Sequence, residues 1–219
     1  MSLDDIATER WRTHTSAEGL TWGMVLDGAA LVEAIEKHAR LAGVAVLEIG
    51  PGYGRLLRSL VDSSVPFASY AALDISEHWV RELTKEFHSH RNISFMCAPV
   101  TEANTKFAGR QFDLIVSMLT WKHFHPDFAA AARACRSLLA TDGRLIFDLP
   151  ETDVAWPAPT NVASGTFEET GAFTRTYTRH EVQSLLGEAG LTVVMFDEIA
   201  HAPDKRRLLV VARRAAGPS

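Results

Sequence analysis

The ten residues Val46-Leu47-Glu48-Ile49-Gly50-Pro51-Gly52-Tyr53-Gly54-Arg55 carry the densest chemical information in the chain. They read as a buried strand that breaks into a glycine-rich turn and opens a helix. Such a turn brings backbone against a ligand: Gly50 and Gly52 are free to take positive φ or lie flat, and the following helix directs its first N–H groups and positive end to the same place. A tight turn with a purely structural role has the same composition, so the neighbouring residues must separate the two readings. The spacing is Gly-x-Gly-x-Gly, whereas a dinucleotide pyrophosphate calls for Gly-x-Gly-x-x-Gly. Glu48 stands two residues before the first glycine, where a carboxylate suits an ammonium group better than a phosphate. Asp74 ends the next apolar run, Ala71-Ala72-Leu73-Asp74, a place from which a carboxylate accepts hydrogen bonds from both hydroxyls of a ribose.

These residues need a sheet to hold them. Val44 to Ile49 is a nearly continuous apolar run of the sort buried on both faces of a parallel sheet. Further strands are predicted at Phe67 to Leu73, Ile93 to Ala98, Phe112 to Met118 and Arg144 to Leu149, the last after a Thr141-Asp142-Gly143 turn. Helices alternate with them. Ala29 to Ala39 has Asp27 as its N-cap and Gly43 beyond its end; the stretch to Val61 carries Leu56, Leu57 and Leu60 on one face; Glu77 to His88 and Asp127 to Leu139 follow. Thr178 begins a helix to Ala189, with Glu181 completing a capping box and Gly190 ending it. Leu191 to Ile199 and Arg207 to Ala212, separated by Ala202-Pro203-Asp204, read as an antiparallel pair at the sheet edge. Five β/α repeats imply right-handed crossovers and an α/β fold, a doubly wound, mostly parallel seven-stranded sheet with an antiparallel C-terminal strand. Residues 1–219 are expected to form one domain: a helical cover (1–43), a ligand-binding core (44–149), an inserted loop or lid (150–177), and a C-terminal helix and strand pair (178–219).

Four segments in order carry a resemblance: EIGPGYG from Glu48, LDIS from Leu73, FDLIVS from Phe112 and DGRLIF from Asp142. Over roughly residues 40 to 200 the chain resembles the class I S-adenosylmethionine-dependent methyltransferases. The resemblance implies a Rossmann-like fold, S-adenosylmethionine as cofactor and S-adenosylhomocysteine as product. It places Gly50, Pro51, Gly52 and Gly54 beneath the methionine and ribose parts, Glu48 near the amino group and Asp74 on the ribose. Ser117 and Met118, at the end of the fourth strand, complete the implied set. The third strand departs from the pattern. Many members carry an acid there for the adenine amino group, but this chain has Phe95-Met96-Cys97-Ala98-Pro99-Val100. Backbone around Cys97 and Ala98, with Val100 and Ile75 as apolar contacts, is expected to serve the ring instead.

Methyl transfer from a sulfonium is an in-line displacement in which positioning supplies much of the rate, so a catalytic base is optional. The reactive end of a ligand lies over the carboxyl ends of the strands, which points to the segment from Ser117 to His125. His123 is a candidate base or a packing and capping residue; His125, before Pro126, is a weaker candidate. Trp121 lines the pocket or seals a helix onto the sheet, and Trp22, Trp121 and His123 form the candidate substrate pocket. No Asn-Pro-Pro-Tyr step is present, which argues against adenine, cytosine and glutamine-amide acceptors and leaves small-molecule oxygen, nitrogen or carbon. Asp148 and Glu151 read as a solvated strand end rather than a divalent-cation site, so no metal is expected. Trp11, His14 and Trp22 precede the first regular helix, and Trp156, Phe167, Phe173 and Tyr177 decorate the insertion; both groups are substrate cover or packing. The competing readings are a catalytically silent binding domain of the same fold and a nicotinamide-dependent reductase, which needs the longer glycine spacing.

Composition bounds the rest. The 219 residues, 47% hydrophobic and 22% charged, suit one α/β domain. A formal net charge of −5 repels polyanions, and no nucleic-acid partner is expected. Lys205, Arg206 and Arg207, with Arg213 and Arg214, read as a solvated strand end. Cys97 and Cys135 read as half-buried free thiols, fitting a reducing cytoplasm. Met1 to Asp5 is acidic, and no apolar run approaches the roughly 20 residues that cross a bilayer, so no membrane partner is expected. Monomer and homodimer are equally open.

Overall fold

The computed structural model describes residues 3–16, 27–124, 127–151, 166–167, 173–199 and 207–216. Two helices, α1 (Leu3–Thr13) and α2 (Gly28–Glu36), precede an alternating series. It runs β1 (Ala45–Ile49), α3 (Arg55–Asp62), β2 (Ser69–Asp74), α4 (Glu77–Glu86), β3 (Ile93–Cys97), α5 (Ala103–Lys106), β4 (Phe112–Ser117), α6 (Phe128–Leu138) and β5 (Leu139–Pro150). Two short strands, β6 (Thr166–Phe167) and β7 (Phe173–Thr174), pair as a ribbon; α7 (Arg179–Glu188), β8 (Leu191–Ile199) and β9 (Arg207–Arg214) follow.

Seven strands form one sheet in the order β3-β2-β1-β4-β5-β9-β8. The first five are mutually parallel, and β9 runs antiparallel to both β5 and β8. The chain builds outward from β1 to β3, then returns to the other side of β1 with β4. The order therefore reverses between β1 and β4, opening a crevice at their carboxyl ends.

The inner strands β1, β2, β4 and β9 are buried on both faces, as their apolar runs require, while β3 and β8 at the edges are partly exposed. Leu47 and Ile49 of β1 share one core with α6 and α7, where Phe128, Cys135 and Leu186 are enclosed. Val46 faces the other core, together with Ile35 of α2, Leu57 and Leu60 of α3 and Leu83 of α4. Period-two alternation thus aims Glu48, two residues after Val46, into the α2–α3 layer. Two caps behave as expected. Asp27 accepts from the Ala30 N–H at 2.8 Å, and Thr178 and Glu181 form a reciprocal capping box.

Two elements differ from expectation. Residues ahead of the first expected helix already form α1. Thr141-Asp142-Gly143 is no separate turn but an irregularity within β5, where pairing jumps from Phe112 with Leu139 to Leu114 with Arg144. Gly143 permits this crowding: a Cβ there would lie 2.9 Å from Leu139 Cδ1 and 3.0 Å from the Phe112 carbonyl oxygen. No helix among the described residues is long and apolar enough to cross a membrane.

Candidate active site

The glycine turn sits at the carboxyl end of β1, on the crevice. Gly50 has φ +72° and Gly52 φ +52°, so both occupy the left-handed region that side chains disfavour. The Gly50 N–H donates to the Leu73 carbonyl at 2.8 Å, tying the turn to β2. Pro51 is buried, and its carbonyl accepts from Gly54 N–H at 2.9 Å; Gly54, with φ +84°, opens α3. The two tight glycines have different surroundings. A Cβ on Gly50 would meet the Thr120 side chain at 2.4 Å, whereas one on Gly52 would meet nothing within 4 Å.

Asp74 closes this open floor from the β2 side. Its Oδ2 accepts from Gly52 N–H at 2.9 Å and its Oδ1 from Ser76 N–H at 2.8 Å. An ionised carboxylate offers about four lone-pair sites, so acceptor capacity remains for a ligand. Burial raises the Asp74 carboxyl above its usual range, opposed by the backbone N–H groups of Ser76, Gly52 and Ile75.

Glu48 is 3% exposed and accepts a hydrogen bond from the Tyr70 hydroxyl. Burial pushes its carboxyl up to about 7; the Tyr70 bond and the Arg55 charge oppose the rise, and Asp74 adds to it. Two acids therefore flank the glycine turn in a site that desolvates both. A cationic ligand group would relieve that cost.

At the end of β3, Cys97 lies opposite Asp74, and Ala98 N–H donates to the Asp74 carbonyl at 3.0 Å. Ala98 and Val100 retain only slight exposure beside this edge, and Ile75 is half-buried. The cysteines correct the expectation of two half-buried thiols. Cys97 is exposed, with its Sγ 3.7 Å from the Ile75 carbonyl, while Cys135 is fully enclosed and its thiol is pushed up to about 12 by burial.

The segment after β4 forms the opposite wall. Ser117 is buried, and its hydroxyl donates to the Ile49 carbonyl at 2.9 Å, pinning β4 to β1 rather than facing a cavity. Met118 is buried in the α2–α3 core. Leu119 takes φ +62°, rare for a branched side chain, and its N–H donates to the Asp148 carboxylate. Thr120 Oγ1 then donates to the Gly50 carbonyl at 3.1 Å. Trp121 is placed by the structure in the core rather than on a pocket wall: it is 0% exposed and stacks on Phe147 at 4.1 Å between centroids. His123 is half-buried against Trp11 of α1, with ring centroids 4.6 Å apart. His14 meets the edge of Trp11 at 5.6 Å. Trp22, His125 and Trp156 lie outside the described residues, as does Lys205-Arg206.

Three charged residues read as solvated are buried instead. Asp148 is 0% exposed and Arg207 1%, and the two form an ion pair linking β5 to β9. The Glu151 side chain, 4% exposed, pairs with Arg179 Nε at 2.7 Å. Isolated charges cannot be buried cheaply, so each has found its counter-charge across the fold. Tyr177, read as substrate cover or packing, packs: it is enclosed against Phe128 at 5.3 Å and donates its backbone N–H to the Pro150 carbonyl.

Tyr70 and Thr120 were not singled out from the sequence. A signal for Tyr70 was present: positions 70, 72 and 74 share one face of β2, and Val46, opposite Tyr70, shares a face with Glu48. Nothing in the sequence reveals that Thr120 fills the space a Gly50 Cβ would need.

Solved structures share this fold. The complex of DhpI with S-adenosylhomocysteine aligns at a TM-score of 0.70 and 21% identity, covering 98% of each chain. The Burkholderia thailandensis 1,6-didemethyltoxoflavin-N1-methyltransferase, with bound 1,6-didemethyltoxoflavin and S-adenosylhomocysteine, aligns at 0.63 and 21% identity, covering 86% of this chain and 77% of that one. Among curated proteins, the ubiquinone biosynthesis O-methyltransferase of Neisseria meningitidis serogroup C (strain 053442) is 30% identical over 120 residues, 53% of this chain and 48% of that protein. The chain thus spans about half the length of that relative. The family model described as "Methyltransferase domain" matches residues 28–195, from the start of α2 into β8, and the chain belongs to that family.

Proposed function

We propose that the protein binds S-adenosylmethionine at the carboxyl ends of β1 and β2 and methylates an oxygen, nitrogen or carbon of a small molecule. The observation that carries this reading is the floor at Gly52. It has a left-handed backbone, open space where a side chain would stand, and an N–H held by the carboxylate that borders it. A flat, cationic nucleoside fits such a place, because the backbone approaches it without obstruction and two acids lie beside it.

S-adenosylmethionine supplies an electrophilic methyl group on a sulfonium. The chain's residues bind and orient. In this assignment Gly50, Pro51, Gly52 and Gly54 form the floor, the remaining lone pairs of Asp74 take the ribose hydroxyls, and Glu48 faces the ammonium. Ile75, the backbone at Cys97 and Ala98, and Val100 border the adenine, while Ser117 and Met118 back the site from β4. Holding an acceptor in line with the methyl carbon replaces a bimolecular encounter by an oriented one, which is worth up to about 7–11 kcal/mol of barrier. The names of the relatives support a small-molecule acceptor without choosing the atom: one is an O-methyltransferase and another an N1-methyltransferase.

Isothermal titration with S-adenosylhomocysteine tests the assignment. Asp74→Ala is expected to weaken binding by about tenfold or more, the loss of charge-assisted hydrogen bonds worth about 1.5–3 kcal/mol. Equal affinity in a variant whose circular dichroism matches wild type would reject it.

A further inference from the structure

The last turn of α1 holds a second cluster of chemistry. Trp11 reaches His123 beyond β4, and the charge of Arg12 acts on the Cys97 thiol at the end of β3. This turn therefore lies over the crevice mouth. Arg10 lies in that turn and His14 is the first residue after the helix, close enough for the Arg10 charge to act on its ring.

Three nitrogens on this turn and the residue after it, Arg10 Nε, Trp11 Nε1 and His14 Nε2, are enclosed by protein without a hydrogen-bond partner. Enclosing such an atom without a partner is costly, and three lie together here. Four other guanidinium groups have carboxylate partners: Arg12 with Glu9, Arg58 with Glu86, Arg175 with Glu181 and Arg207 with Asp148. Arg10 has none among the described residues. The second nitrogen of His14 is engaged by the Ser16 backbone in a bond that favours the protonated ring. Such a bond makes Nδ1 the donor to a carbonyl, which leaves Nε2 of the neutral ring with its lone pair. Burial, then the Arg10 charge, holds this imidazole below its ordinary value, so it stands neutral near neutral pH.

We propose that Arg10 and His14 form the acceptor-activating pair, and that the acceptor is an acidic hydroxyl on a planar ring, a phenol or an enol. This rests on the reading of the site as a methyl-transfer site and specifies oxygen as the methylated atom. The hydroxyl hydrogen passes to His14 Nε2 while Arg10 Nε–H holds the oxygen and its developing charge. The oxygen forms its bond to the methyl carbon as the carbon–sulfur bond breaks. The electron pair of that bond returns to sulfur, leaving a neutral thioether and a methyl ether, and the proton leaves His14 to solvent. Trp11, braced on His123, supplies an aromatic wall for the ring.

The test uses 4-nitrophenol, whose phenolate is coloured, with the full chain saturated by S-adenosylhomocysteine so that no turnover intervenes. Wild type is expected to bind it as the phenolate, with the colour appearing about one pH unit below the free-solution titration. Arg10→Gln and His14→Gln are each expected to bind it about tenfold more weakly and to return the titration toward its free value. Both variants should retain wild-type affinity for S-adenosylhomocysteine, which shows that they are folded. Failure of wild type to bind 4-nitrophenol, an unshifted titration, or a shift that survives both substitutions overturns the pair. Failure to bind S-adenosylhomocysteine at all overturns the cofactor reading instead.

Discussion

Gly50 and Gly52 share a left-handed backbone and differ in what lies beyond it, so the same substitution should have two outcomes. Alanine at Gly50 drives a methyl into Thr120 and strains φ, an expected loss of at least about 2 kcal/mol in denaturant unfolding. Alanine at Gly52 meets no protein atom; its strain costs about 1–2 kcal/mol, and the methyl stands on the ligand floor. Titration calorimetry should therefore find S-adenosylhomocysteine binding reduced about tenfold or more in a Gly52→Ala protein that still unfolds cooperatively. Undiminished binding would place the ligand elsewhere. Glu48 yields a prediction of opposite sign for stability and function. Its folded carboxyl is raised from an ordinary 4.5 to about 7, so the folded state holds a proton that the unfolded chain has released. Stability from this group consequently falls as pH rises between those values, by on the order of 3 kcal/mol, and stays reduced above them. Glu48→Gln should melt higher than wild type at pH 8, with the gap closing toward pH 5, yet bind the ammonium-bearing ligand more weakly. Parallel melting curves at both pH values would show that the group is not raised.

At the scale of elements, the β5–β9 pairing supports the site through a buried charge. Asp148 receives both Arg207 and the Leu119 N–H, and Leu119 must hold a left-handed φ for Thr120 to reach Gly50. Removing one partner strands the other: Arg207→Met is expected to cost about 3–5 kcal/mol in chemical denaturation. A cost under about 1 kcal/mol, the range of surface pairs, would mean that the pair is not enclosed. This arrangement was illegible in the sequence because its residues are 59 positions apart, and no local pattern reports a counter-charge across a sheet. The strands themselves were legible, since a run buried on both faces must be apolar throughout. Asp74 was legible for the same reason: it is the acid that ends such a run. The bounds of α1 within the helical cover are not legible, because its eleven residues, LDDIATERWRT, are mostly polar and no glycine directly follows their end.

For the whole molecule, strand order decides where chemistry happens. The reversal between β1 and β4 leaves a crevice at their carboxyl ends, and β9 and β8 extend the sheet on the far side of β5. The seven-stranded, mostly parallel sheet is legible from the alternating elements and a terminal strand pair, whereas its strand order is not. Nor is the contact between α1 and the loop after β4, because it joins residues through ring packing rather than a repeating pattern. The claim on which the account depends is that the bend after β1 and the acid ending β2 make a single nucleoside site. Crystals grown with S-adenosylhomocysteine test it most directly. The account predicts density lying on Gly52, with the ribose hydroxyls at hydrogen-bond distance from Asp74 and the amino group toward Glu48. Density in any other cleft, with the Gly52 floor filled by the protein's own side chains, would contradict it.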